Sequence, residues 1–244
     1  MAIFLPAMLQ GLLYTFCRGF CRILFRVWGR VEVIDAGNVP ETGSLLIASN
    51  HQSYLDPPLV GGGVRRHMHF VARSGLFKYK PFAWLIGSLN SIPLRENEGD
   101  AAAIREVLRR LGDGHGVVIF PEGARTTDGA MHEFKRGVIV LVKKARCPVV
   151  PAAVEGCWDA YPPGGKPRLF GVRLAVKYGK PIPYDELFAD GANSALARLQ
   201  REVDTMRLEL RSRLRAKTHG RWPVAGPGDR PVQTTVPNES TASA

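Results

Sequence analysis

Two short runs limit what this chain can become: Ser44-Leu45-Leu46-Ile47-Ala48-Ser49 and Gly116-Val117-Val118-Ile119-Phe120. Neither alternates apolar with polar residues. Each therefore reads as a buried strand, the second of the type found inside a parallel sheet covered on both faces. Each run is followed at once by a polar cluster. After the first comes Asn50-His51-Gln52-Ser53-Tyr54-Leu55-Asp56-Pro57, and after the second Pro121-Glu122-Gly123-Ala124-Arg125-Thr126. In open α/β sheets, sites form beyond the carboxyl ends of strands, which is where these clusters fall.

The rest of the chain fits that frame. A strand precedes a turn at Gly37-Asn38-Val39-Pro40. A helix starting near Pro57, with Asp56 as its N-cap, is ended by Gly61-Gly62-Gly63. Met68-His69-Phe70-Val71-Ala72 reads as a strand, residues 81–86 as a short helix closed by Gly87, and Ser91-Ile92-Pro93-Leu94-Arg95 as a strand end carrying one arginine. Asp100 caps a helix over 101–111 with Ile104, Val107, Leu108 and Leu111 on one face. A helix over 137–145, strands at 149–154 and 173–178, and a long helix over 194–216 follow. Helices alternating with strands predict an α/β fold built on a single mixed, largely parallel sheet flanked by helices.

The ends differ from the middle. Net charge is +11, with +4 from residues 1–30 and +5 from 193–221, against +3 for 31–192 and −1 for 222–244. In the first segment an uncharged apolar stretch precedes Arg18, Arg22, Arg26 and Arg30, which recur every fourth residue and so form one helical stripe. A secretory signal has the opposite order of charge and apolar run, and Pro6, Gln10 and the arginines interrupt a full span. The segment reads as an amphipathic, membrane-interacting helix lying in the interface, with Trp28 at its boundary. Four divisions follow: 1–30 membrane-interacting, 31–192 the α/β domain, 193–221 a basic amphipathic helix whose polar face is mainly arginine, and 222–244 a Pro/Gly/Ser/Thr-rich tail expected to be disordered. Arginines clustered on amphipathic ends, without basic and aromatic residues interleaved over the core, disfavour a nucleic-acid partner. Cys17, Cys21, Cys147 and Cys157 are too few and scattered for a disulfide framework, so a reducing compartment is expected.

His51, with Asp56 five residues on, is a candidate base with its orienting acid. Arg95 and Arg125 suit an anion, since guanidinium forks match phosphate oxygens. Glu122 is placed to orient an arginine or bond a substrate hydroxyl. There is no Gly-x-Ser-x-Gly elbow and no glycine-rich phosphate loop. The implied chemistry is base-assisted attack by a hydroxyl of a phosphate-bearing acceptor.

With these residues in place the sequence resembles the bacterial 1-acyl-glycerol-3-phosphate acyltransferases, within the wider glycerolipid acyltransferase family. His51 and Asp56 match its first motif, and Gly87 through Arg95 its second. Phe120 through Thr126, with Phe134-Lys135-Arg136-Gly137 after it, matches the third, and Val149-Val150-Pro151-Ala152-Ala153 the fourth. Ala124 stands where the family has Thr, and Thr126 where it has Ser; Arg95 follows Leu94 directly, where relatives often place a polar residue. The resemblance implies that His51 is the general base and that Asp56 holds its tautomer. Arg95, Glu122, Gly123 and Arg125 would bind the acceptor phosphate, and no metal or cofactor would be needed. Acyl-CoA or an acyl carrier protein would be the donor, 1-acyl-glycerol-3-phosphate the acceptor, and phosphatidate the product, with anionic membrane lipids as partners at the cytoplasmic face of the cell membrane. Acylation of another lyso-lipid, such as a lyso-ornithine lipid or a lysophospholipid, is the nearest alternative. A non-catalytic lipid-binding protein is a further one, whose mark would be loss of His51 or Asp56.

Overall fold

A computed structural model describes residues 6–28, 30–94, 101–168 and 170–232. In chain order the elements are α1 (Ala7–Trp28), β1 (Glu32–Ile34), β2 (Leu45–Ser49), α2 (Asp56–Gly63), β3 (Met68–Arg73), α3 (Lys80–Ser88), β4 (Ser91–Leu94), α4 (Ala101–Gly112) and β5 (Gly116–Ile119). They continue with α5 (Gly137–Ala145), β6 (Val149–Glu155), α6 (Cys157–Ala160), β7 (Ala175–Tyr178), α7 (Tyr184–Leu187) and α8 (Gly191–Lys217). Arg95 and Asp100, the expected second-motif arginine and helix cap, lie outside the described residues.

Among the described residues the strands form one seven-stranded sheet in the order β1-β7-β6-β2-β5-β3-β4. Every pairing is parallel except that of β6 with β7. The predicted mixed, largely parallel sheet is therefore present. The two apolar runs are neighbours at its centre, with Leu45 opposite Gly116 and Ala48 opposite Ile119. Their lack of alternation follows from burial on both faces. Leu46 and Ala48 pack with α4, α5 and α8 on one side, while Leu45 and Ile47 pack with α1 and α2 on the other.

The glycine run closes α2 as expected, forming its last turn, and sets the distance of that turn from the sheet. A Cβ on Gly63 would sit 2.2 Å from the Tyr178 hydroxyl, which donates to the Val60 carbonyl at 2.6 Å. Asp56 opens α2 but does not cap it, because its carboxylate turns back toward the preceding loop.

Helix α1 is both a packing element and an exposed one. Tyr14 and Phe25 are buried against α2, whereas Met8, Leu12, Phe16, Phe20, Ile23 and Val27 stand on an exposed stripe. Two of the four arginines turn inward: Arg18 donates to the Arg65 carbonyl at 2.6 Å, and Arg22 to those of Gly62 and Val64 at 2.5 and 2.9 Å. These carbonyls close the C-terminal end of α2, where amide geometry leaves acceptors open and a cation is favoured. Arg26 and Arg30 remain exposed. No helix among the described residues is long and apolar enough to cross a membrane.

The expectation for the C-terminal end needs correction in two respects. Arg207 and Arg211 are buried rather than arrayed on a solvated face. Residues 222–232, read from composition as disordered, run back as an ordered strap over α8. Arg207 pairs with Asp204 and donates to the carbonyls of Gly228 and Arg230; Arg211 pairs with Asp229 and donates to the Val224 carbonyl. The strap has few apolar side chains to bury, but its backbone carbonyls find buried guanidinium groups, and that orders it. Residues 233–244 lie outside the described residues.

Candidate active site

At the end of β2 the chain leaves the sheet with its next residues pinned. Asn50 is buried, and its side chain donates to the Val154 carbonyl at 3.0 Å and accepts from the Val154 N–H at 2.8 Å, reproducing a strand pairing with β6. His51 is held on both sides of its own backbone. Its N–H donates to Glu122 Oε1 at 2.7 Å, and its carbonyl accepts from the Thr126 N–H at 2.9 Å. The loops after β2 and β5 are thus fastened together, which the parallel pairing of those strands makes possible.

The His51 ring stacks on Phe120, with centroids 4.1 Å apart and planes inclined by 19°. Nδ1 lies 2.7 Å from Asp56 Oδ2. The same oxygen accepts the N–H groups of Gln52 at 2.6 Å and Ser53 at 2.7 Å. Asp56 is fully buried, and three donors converge on that one oxygen. With the proton on Nδ1 directed at Asp56, the lone pair resides on Nε2, for which there is no hydrogen-bond partner among the described residues. A histidine so held accepts a proton at Nε2 and has its positive charge stabilised at Nδ1.

Glu122 does not reach toward an anion or a hydroxyl. It is buried, and its second oxygen accepts the His132 N–H at 2.8 Å. Burial pushes its carboxyl up to about 8, against the pull of its two backbone N–H donors. It is a brace between loops. Gly123 adopts φ +71°, a left-handed turn. Its carbonyl accepts from Arg73 at 2.8 Å, and a Cβ there would lie 2.8 Å from Lys135 Nζ. Arg125 lies over the Tyr54 ring at 3.5 Å, on the same loop pair as His51. Of the residues expected from sequence, His51, Asp56, Glu122, Gly123 and Arg125 are brought together. Arg73 and Lys135 were not among them. Arg73 ends a strand beside the site and Lys135 lies within the quoted Phe134-Lys135-Arg136-Gly137, so position was the available signal.

The acyltransferase family model matches residues 30–155, which contain the His51–Asp56 loop, the Glu122–Arg125 turn and β6. The chain belongs to the acyltransferase family. This acyltransferase is similar to the 1-acyl-sn-glycerol-3-phosphate acyltransferase of Bacillus subtilis, at 26% identity over 204 residues covering 83% of this chain and 98% of that one. It is 25% identical over 194 residues to the chloroplastic 1-acyl-sn-glycerol-3-phosphate acyltransferase BAT2 of Brassica napus, covering 74% of this chain but only 56% of that longer protein. Among solved structures it resembles the 1-acyl-sn-glycerophosphate (LPA) acyltransferase PlsC of Thermotoga maritima. The TM-score is 0.64 and the identity 25%, with 81% of this chain and 79% of that chain covered. In the acyltransferase, Arg207, Arg211 and the strap lie beyond the family match.

Proposed function

We propose that this acyltransferase acylates the free hydroxyl of 1-acyl-glycerol-3-phosphate from an acyl thioester, CoA or acyl carrier protein, and so forms phosphatidate. The observation that carries this reading is the 2.7 Å contact of His51 Nδ1 with a buried Asp56, which leaves Nε2 open. The names of the similar proteins support the choice of acceptor. His51 Nε2 takes the acceptor's hydroxyl proton as its oxygen bonds to the thioester carbonyl carbon. The C–S bond then breaks, and the imidazolium returns the proton to the departing thiolate. Arg125, with Arg95 and the turn at Gly123, binds the acceptor phosphate, and Arg73 and Lys135 add positive charge beside it. Glu122 contributes by holding His51 rather than by touching substrate. No metal or cofactor enters these steps.

The acceptor resides in a bilayer and the donor is water-soluble, so the enzyme works at the cytoplasmic membrane face, on the exposed apolar stripe of α1 with Arg26 and Arg30 at headgroup level. His51→Ala should lower turnover on vesicle-borne 1-acyl-glycerol-3-phosphate by at least about 10²-fold, with an unchanged melting temperature. Near-normal transfer by that variant would rule the mechanism out.

A further inference from the structure

The side chain of Gln52 points away from the reacting groups. It is almost wholly buried, its Nε2 donates to Glu155 Oε2 at 3.1 Å, and its Oε1 accepts the Trp158 N–H at 3.3 Å. The same residue's backbone N–H is one of the donors that aim Asp56 at His51. Gln52 therefore joins the catalytic loop to the turn between β6 and α6. Glu155, also buried, accepts Arg211 Nη1 on its other oxygen at 2.8 Å. Arg211 is in turn fixed by Asp229 Oδ1 at 2.7 Å and the Val224 carbonyl at 2.5 Å. A continuous chain of buried contacts runs from the C-terminal strap to the loop that carries His51.

A buried ion pair is weak evidence for a stabilising role, because apolar residues of similar volume commonly do as well. What such a pair supplies here is direction: it fixes an acceptor where the Gln52 amide must find one. We infer that Glu155 is a positioning residue for acyl transfer: it holds Gln52, and through it the peptide segment that orients Asp56 against His51 Nδ1, while Arg211 holds the Glu155 carboxyl. Neither touches the reacting atoms. The inference rests on the proposed function only for the reaction it serves. Displacement of a reacting group by about 1 Å is enough to lose about 10²-fold in rate.

Two double variants of the full chain separate this role from folding. Glu155→Gln/Arg211→Met and Glu155→Leu/Arg211→Met both remove the buried charges, but only the first leaves an acceptor for Gln52. The form with the amide should keep turnover within about five-fold of the parent. The leucine form should fall about ten- to a hundred-fold below it in kcat, at an equal melting temperature and with KM for the lyso-lipid unchanged. With ¹⁵N-histidine labelling, the downfield Nδ1 proton of His51, assigned by its loss in His51→Gln, should persist in the first double variant and broaden or vanish in the second. Equal kcat and equal resonances in the two would overturn the inference, as would a loss carried by KM or by a fallen melting temperature. The resonance is read without substrate. A parent enzyme inactive on 1-acyl-glycerol-3-phosphate would therefore refute the function while the positioning test still gave its answer.

Discussion

Helices α1 and α8 look alike as strings of residues, each apolar along one stripe with arginines at helical spacing, yet they are mounted in opposite senses. In α8 the apolar stripe and two arginines face inward, with Arg207 at 0% exposure and Arg211 at 6%. In α1 much of the apolar stripe faces out, with Phe16 71% and Val27 78% exposed, and two arginines lean over the end of α2. What stands across from each helix decides. Opposite α8 lie carboxylates, Glu155 and Asp229, together with the open carbonyls of the strap. Opposite the inward-turned arginines of α1 lie backbone carbonyls at and just beyond the end of α2, those of Gly62, Val64, Arg65 and Arg66. Arginine follows its acceptors, and a helical wheel does not show where they are.

Substitutions measure how deep that contrast runs. Arg207→Ala should be the most damaging, because it leaves Asp204 buried without its partner and frees the strap carbonyls. A loss of about 3–5 kcal/mol is expected in urea unfolding, and a loss below about 1 kcal/mol would make the two helices equivalent. A smaller effect, seen through pH, belongs to α8 alone. Burial pushes Glu155 up to about 7 in spite of Arg211. The stability carried by a carboxyl with a raised folded value is present below its ordinary value and is lost as pH rises through the folded one. The unfolding free energy of the parent should therefore decline between about pH 4.5 and 7 more steeply than that of Glu155→Gln; parallel curves would count against a buried, strained carboxylate. On α1, Arg22→Ala should cost about 1 kcal/mol, since the lost bonds go to carbonyls that water can also satisfy. Least of all for the fold, Arg26→Gln with Arg30→Gln should leave melting unchanged while weakening sedimentation with anionic vesicles by about 1 kcal/mol per arginine, and should leave neutral vesicles unaffected. Equal loss on both vesicle types would remove headgroup charge from the explanation.

What the sequence discloses follows the range of the interactions involved. The central strands are legible because burial on both faces is written in consecutive residues such as Val117, Val118 and Ile119. The His51–Asp56 pair is legible because it is local. Glu122 reads from sequence as a group for an arginine or a substrate hydroxyl, whereas its partners in the fold are the backbone N–H groups of His51 and His132, which no side-chain pattern announces. Glu155 ends an apolar strand and reads as its polar terminus; only the return of α8 supplies Arg211. The strap was missed because composition predicts order from apolar content, and its order comes from carbonyls bound to buried guanidinium groups.

The outer edge of the sheet carries a consequence for synthesis. β1 pairs with β7, and the Asn38 amide just beyond it donates to the Tyr178 carbonyl 140 residues later. Glu32 waits longer still, for Arg213 and Lys217 of α8. At elongation rates of about 5–20 residues per second, about 7–30 s separate the appearance of β1 from that of its neighbour. For that interval β1 lacks the strand it pairs with, although α1 already has α2 to pack against. The early end of this protein is sealed by its late end, and a nascent chain cut short before β7 is left with an open edge.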